Sequence, residues 1–95
     1  MATARTGLRI VVERPNEQAL ASLKVTSWPI WTKEPSTFAW HYDEPETCYF
    51  LEGDVTVKTA DGETALKAGD LITFPKGLDC TWHVRRAVRK HYRFG

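Results

Sequence analysis

Along most of this chain apolar and polar residues alternate with the two-residue period of half-buried strands, and one short stretch departs from it. Leu8, Ile10 and Val12 alternate with Arg9 and Val11 and run to a breaker at Pro15, which predicts a first short strand. Asn16 then reads as an N-cap before Glu17, Gln18, Ala19, Leu20 and Leu23, predicting about two helical turns. Trp28-Pro29-Ile30-Trp31 and Pro35 follow, a proline-punctuated connector. Beyond it strand-like runs recur at Thr37–Tyr42, Thr47–Leu51, Val55–Thr59, Thr64–Leu66, Leu71–Phe74, Cys80–Val84 and Val88–Phe94. Turn signals separate these runs: Asp43-Glu44-Pro45, Glu52-Gly53-Asp54, Ala60-Asp61-Gly62, Ala68-Gly69-Asp70 and Pro75-Lys76-Gly77. The best hairpin is Asp61-Gly62 between Val55-Thr56-Val57 and Thr64-Ala65-Leu66. Many short strands at this spacing predict an all-β antiparallel sandwich or barrel with one short N-terminal helix.

Composition narrows the function classes. A chain of 95 residues makes one domain, here a strand and helix over 1–27 packed outside a barrel over 28–94. Lys and Arg number 13 against 12 Asp and Glu, so the +1 balance does not steer the protein towards nucleic acid. Apolar runs are far shorter than the roughly 20 residues that span a bilayer. No membrane or nucleic-acid partner is therefore expected. The chain opens Met-Ala-Thr-Ala-Arg without an apolar signal core, so a cytoplasmic location and free thiols at Cys48 and Cys80 are expected. A core this small makes a homodimer a reasonable expectation. There is no P-loop, dinucleotide fingerprint or serine nucleophile elbow.

Glu46-Thr47-Cys48-Tyr49-Phe50-Leu51-Glu52-Gly53, followed by Gly69-Asp70-Leu71-Ile72-Thr73-Phe74-Pro75-Lys76-Gly77, resembles the two motifs of the cupin superfamily of small jelly-roll barrels. Glu46 and Gly53 match the second half of the first motif. Gly69, Pro75 and Gly77 match the second, with Cys80 at its histidine position. Trp28-Pro29-Ile30-Trp31, Phe74-Pro75-Lys76-Gly77 and Arg89-Lys90-His91-Tyr92 look like the small single-domain cupins grouped with the ureidoglycine aminohydrolase cupin domain, many of which have no assigned activity. The resemblance implies a metal held by three imidazoles and one carboxylate. Here the first imidazole pair falls on Ala39 and His41, or on Trp40 and Tyr42, depending on a gap of four or three residues. What survives is a His41, Glu46 and Cys80 set, which suits zinc or iron better than manganese because a thiolate is too soft for manganese.

Strand parity supplies a second route to the site. If Glu46 faces inward so do Cys48 and Phe50; Cys80, Trp82 and Val84 share a face from which His83 is excluded. Val88, Lys90, Tyr92 and Phe94 also share a face, so Lys90 turns inward with its apolar neighbours. A Glu46–Lys90 pair would take the charge role of a lost metal or grip an anionic small molecule. Each residue also has a purely structural reading: the cysteines as small buried hydrophobes, His41 as a surface histidine, Glu46 as a rim carboxylate and Lys90 as a snorkelling lysine. Trp28, Trp31, Phe38, Trp40 and Tyr42 read more readily as core than as pocket floor. The basic stretch Arg85–Arg93 places Arg89, His91 and Arg93 on one face, within reach of the acidic residues that would neutralise it. The preferred reading is a cupin that binds a small molecule in a pocket of Trp40, Tyr42, Glu46, Cys48, Cys80, Trp82 and Lys90 that lacks the full metal-ligand set, with the cofactor, none or a divalent metal, left open. A hydrolase using a divalent metal on His41, Glu46 and Cys80, and a scaffold or interaction module, are the alternatives.

Overall fold

In a computed structural model, which describes residues 8–95, the elements in chain order are β1 (Val11–Glu13), α1 (Glu17–Leu23), a 3-10 turn (Val25–Ser27), β2 (Ile30–Lys33), β3 (Ser36–His41), β4 (Glu46–Thr59), β5 (Gly62–Lys67), β6 (Leu71–Phe74) and β7 (Asp79–Phe94). The opening Met-Ala-Thr-Ala-Arg stretch, read as lacking a signal core, lies outside the described residues. Among those residues no helix is long and apolar enough to cross a membrane.

The two long strands organise everything else. β4 and β7 pair antiparallel along nearly their whole lengths, from Glu46↔Phe94 to Lys58↔Thr81. The first residues of β4 are flanked on the other side by β6 and its last residues by β5. β7 likewise pairs with β3 through Asp79–Val84 and with β2 through Val88–His91. The result is two half-sheets continuous through β4 and β7: β3, β5 and the adjoining halves of the long strands on one side, β2, β6, β1 and the other halves on the other. Their inner faces meet on Trp82, whose ring lies 6.1 Å from Trp31, 6.2 Å from Phe50 and 5.8 Å from Phe74. β1, β2, β3 and β5 each pair along one edge among the described residues. The architecture is thus the expected antiparallel jelly roll, but open rather than a closed barrel.

Four further expectations change. Glu52-Gly53-Asp54 is not a turn: the register of β4 against β7 shifts between Phe50 and Val55, a bulge that bends the strand while keeping it paired. Gly53 sits there at φ 134°, and a Cβ on it would lie 3.1 Å from both Cα and Cβ of Val88. The runs split at Arg85–Ala87 are one strand for the same reason, since Asp54 pairs with Arg86 across the bend. Arg85 donates to Asp54 at 2.7 Å, and that hydrogen bond holds the exposed carboxyl below its ordinary value. The connector around Pro29 contains β2: Pro29 precedes the strand and Pro35 follows it, so neither removes a ladder donor, and the Pro29 carbonyl accepts from Tyr92 N–H at 3.0 Å. β1 is not packed outside the sheet but pairs with β6 at its edge. It starts at Val11, with Leu8 and Ile10 ahead of it packed on the core.

Helix α1 follows the sequence closely. Asn16 Oδ1 accepts from Ala19 N–H at 2.9 Å, and Lys24 ends the helix in the left-handed region at φ 57° with its N–H bonded to the Ala21 carbonyl. Leu20 and Leu23 pack with Val25, Trp28, Leu71 and Tyr49 in a small cluster separate from the main core. Replacing Gly53 by Ala is expected to destabilise the fold by about 1–3 kcal/mol, through backbone strain and the Val88 contact. Gly62→Ala, at φ 132° with open space around its Cβ position, should cost less. Urea unfolding of both variants checks the difference.

Candidate functional site

Glu46 and Lys90 reach one another across the strands that carry them. Glu46 is opposite Phe94 and Lys90 is opposite Phe50, so the pair spans four residues, roughly 13 Å of strand. Two long side chains leaning along their strands cover that span over the intervening Cys48–Tyr92 rung, and Lys90 Nζ meets Glu46 Oε2 at 2.6 Å. Both side chains are nearly excluded from solvent, at 6% and 5% exposure. The cross-strand partner of Lys90 on β2 is Trp31, and that of Trp82 on β3 is Phe38. Those registers put the ammonium 5.0 Å from the Trp31 ring and 4.8 Å from the Trp82 ring. Burying either charge alone costs several kcal/mol, and the opposite charge plus two ring faces offset that.

This pair lies in the wall of a cavity of about 510 Å³ between the half-sheets. Trp31, Phe38, Trp40, Tyr42, Trp82, Tyr92 and Phe94 supply its rings. Trp40 and Phe94 are each 49% exposed and form its rim, together with Lys33, whose ammonium lies 5.4 Å from the Phe38 ring. In that wall Trp82 is buried, and its indole N–H has no hydrogen-bond partner among the described residues. The indole lies close enough to the Tyr42 hydroxyl and the Cys80 thiol to favour their ionised forms, without reaching hydrogen-bond geometry with either. Burial nevertheless dominates at Tyr42, reinforced by the Glu46 charge, and drives its hydroxyl far above the ordinary range.

Of the residues picked from sequence, Trp40, Tyr42, Glu46, Trp82 and Lys90 line this cavity, and Cys48 and Cys80 do not. Cys48 is fully buried in the core, and burial, moderated by Lys90, pushes its thiol up to about 12. Cys80 donates to the Trp40 carbonyl at 3.6 Å; burial pushes it up to about 11, and it borders a separate, shallow groove with His41 and Asp79. Both thiols are free. His41 is exposed on the face opposite Trp40, with Nδ1 2.7 Å from Asp79 and Nε2 3.6 Å from Asp43. The metal set of His41, Glu46 and Cys80 is therefore not assembled: Glu46 holds Lys90, His41 faces acidic surface residues, and Cys80 donates to the Trp40 carbonyl outside the cavity that Glu46 lines. Among the described residues no group of three or more His, Cys, Asp or Glu side chains converges to hold a metal ion. These residues do not fit the metal that the superfamily resemblance implies.

Trp31, Phe38, Tyr92 and Phe94 complete the wall. The shared face of Lys90, Tyr92 and Phe94 was a usable signal for the last two, whereas Trp31 depends on the β2 register. The basic stretch is taken up locally: Arg93 stacks 4.6 Å above Trp28, His91 Nδ1 is 2.9 Å from the Trp28 carbonyl, and Arg89 lies 3.8 Å from Glu52.

Sequence comparison matches the EutQ-like cupin domain over residues 20–92. The chain belongs to that family. Among solved structures, this EutQ-like cupin is similar to a DUF861 family protein of Thermotoga maritima, with 51% identity and a TM-score of 0.89 over 92% of this chain and 100% of that one. A putative ethanolamine utilization protein Q of Salmonella typhimurium is 26% identical with a TM-score of 0.63, over 68% of this chain and 53% of that protein. The EutQ protein of Clostridium difficile, 18% identical with a TM-score of 0.64 over 99% of this chain and 73% of that one, shares the fold. No protein with curated function matches the chain.

Replacing Glu46 by Gln leaves Lys90 buried without its counter-charge and is expected to cost about 3–5 kcal/mol. The double variant Glu46→Gln/Lys90→Met should recover most of that loss. A double-mutant cycle by denaturant unfolding measures the coupling. The thiols make a separate prediction. Below about pH 9 both are protonated whether folded or unfolded; above it the unfolded chain releases protons that the fold retains, so stability falls as pH rises through 9.0 towards about 12. Cys48→Ala should reduce that alkaline loss in unfolding curves taken across this range, the remainder coming from Cys80 and Tyr42.

Proposed function

We propose that this EutQ-like cupin binds a small organic molecule in the cavity between its half-sheets, using the Glu46–Lys90 pair as polar anchor and the aromatic rings as walls. The observation that carries the reading is a buried ion pair, boxed by Trp31 and Trp82, on the wall of an aromatic cavity of about 510 Å³. That volume and lining, apolar surface with a few convergent polar groups, are those of ligand sites in general. Trp31 and Trp82 hold the ammonium in place, so the anchor is ordered before a ligand arrives. Phe38, Trp40 and Tyr42 offer ring surface, and the exposed rings of Trp40 and Phe94 flank the entrance.

The alternative of a metal-dependent, ureidoglycine aminohydrolase-like activity on His41, Glu46 and Cys80 draws no support from the geometry. Two of the three side chains are committed to other partners, and the third is a thiol whose burial opposes ionisation.

The test is a titration with small aromatic fragments at millimolar concentration, followed through the four indole N–H signals by NMR. Trp31, Trp40 and Trp82 line the cavity, while Trp28 packs in the outer cluster and serves as an internal control. Shifts at the cavity indoles with Trp28 unmoved are expected. Fragments that leave those indoles unmoved would overturn the reading.

A further inference from the structure

We infer that the ligand of this cavity is an uncharged, planar molecule that presents a hydrogen-bond donor beside an acceptor, as along the N–H/C=O edge of a lactam heterocycle. The inference rests on the cavity being a ligand site, and it replaces the anionic ligand that the sequence alone suggested.

Charge balance is the first argument. Lys90 Nζ and Glu46 Oε2 lie 2.6 Å apart with side chains 6% and 5% exposed, so the buried pair carries no net charge. Among the described residues the other charged side chain on the cavity wall is Lys33, which is exposed at the rim. An anion moving towards Lys90 would have to displace Glu46 or sit beside it as a like charge. A cation moving towards Glu46 would meet Lys90 in the same way. Either would carry an uncompensated charge out of water, and a neutral ligand avoids that cost.

Hydrogen-bonding capacity is the second. An ammonium has three donors and a carboxylate roughly four acceptor sites. One donor and one acceptor are joined in the Lys90–Glu46 bond, and the Cys48 thiol also lies close to the ammonium, which still leaves a further donor on one group and further acceptors on the other, side by side. A ligand with an acceptor next to a donor can bond both at once, through charge-assisted hydrogen bonds, without separating them. A ligand with neither leaves that capacity unmet.

The third argument is shape. Phe38 and Trp82 form a stacked pair at 6.0 Å with ring planes 17° apart, and Trp31 meets both edge-on at 6.4 and 6.1 Å. These flat walls favour a flat body.

The experiment uses four probes of similar size and different chemistry: pyridone as neutral lactam, benzoate as anion, benzylamine as cation and toluene as hydrocarbon. Each is titrated into the intact protein and read at the Trp31, Trp40 and Trp82 indole signals. Pyridone should bind at least about tenfold more tightly than the other three. Equal or tighter binding of benzoate, benzylamine or toluene overturns the inference while leaving the cavity as a ligand site. If all four leave the indoles unmoved, the ligand-site reading itself falls, and the inference with it. Glu46→Gln leaves one buried cation and should turn the preference to benzoate. Because that variant loses stability, the uncharged double variant Glu46→Gln/Lys90→Met is measured beside it. It should keep toluene binding and lose the advantage of pyridone; an undiminished advantage overturns the role given to the pair.

Discussion

The close passage of Gly53 over Val88 is the constraint on which the rest of the structure depends. With no Cβ at residue 53, the backbone of β4 can adopt a positive φ and approach β7 where a side chain would collide. The bulge re-aims β4 without breaking its pairing, and β7 bends with it. Each long strand thereby serves both half-sheets, exchanging one neighbour for another at the bend. A flat pair of strands would have produced a single layer with no interior. The bend folds the layer over on itself, and Trp82, Phe50, Phe74 and Trp31 meet inside.

Within that interior Glu46, which matches the carboxylate position of the first cupin motif, is paired with Lys90. A lysine ammonium is a fixed cation that arrives with the chain and exchanges with nothing. It neutralises the carboxylate, presents donors rather than an open coordination position, and is steadied by two indole faces. The carboxylate is thereby engaged by an ammonium carried on the neighbouring strand. Membership of the EutQ-like cupin family fixes the architecture; the chemistry of this cavity comes from its own side chains.

Much of the site was legible before any coordinates. The period-two pattern of β7 turns Lys90 inward with Val88 and Tyr92, and the pattern of β4 does the same for Glu46 with Cys48 and Phe50. Parity alone also set His83 apart from Trp82, and it is exposed. Parity reached its limit with the cysteines. They share the inward faces, yet Cys48 lies under the ion pair and Cys80 at the edge of the core, because a face says which side a residue takes and not which part of the interior it meets. Motif alignment makes His41 a candidate ligand, and alternation along β3 sends it to the surface instead.

The sequence by itself determined the local alternatives: where chain is extended, where Asn16 starts a helix, where glycines permit special backbone, and which side chains share a face. These depend on neighbours along the chain, so nearby residues suffice to decide them. Tertiary structure decided the rest. Whether Glu52-Gly53-Asp54 turns the chain or bends a continuous strand depends on Val88 lying across from it. Whether the segment after Pro29 is connector or strand depends on β7 offering an edge at Val88–His91. Trp31 reaches the ammonium of Lys90 through a register between residues distant in sequence, and registers of that kind are set by the packing of whole sheets rather than by any local pattern.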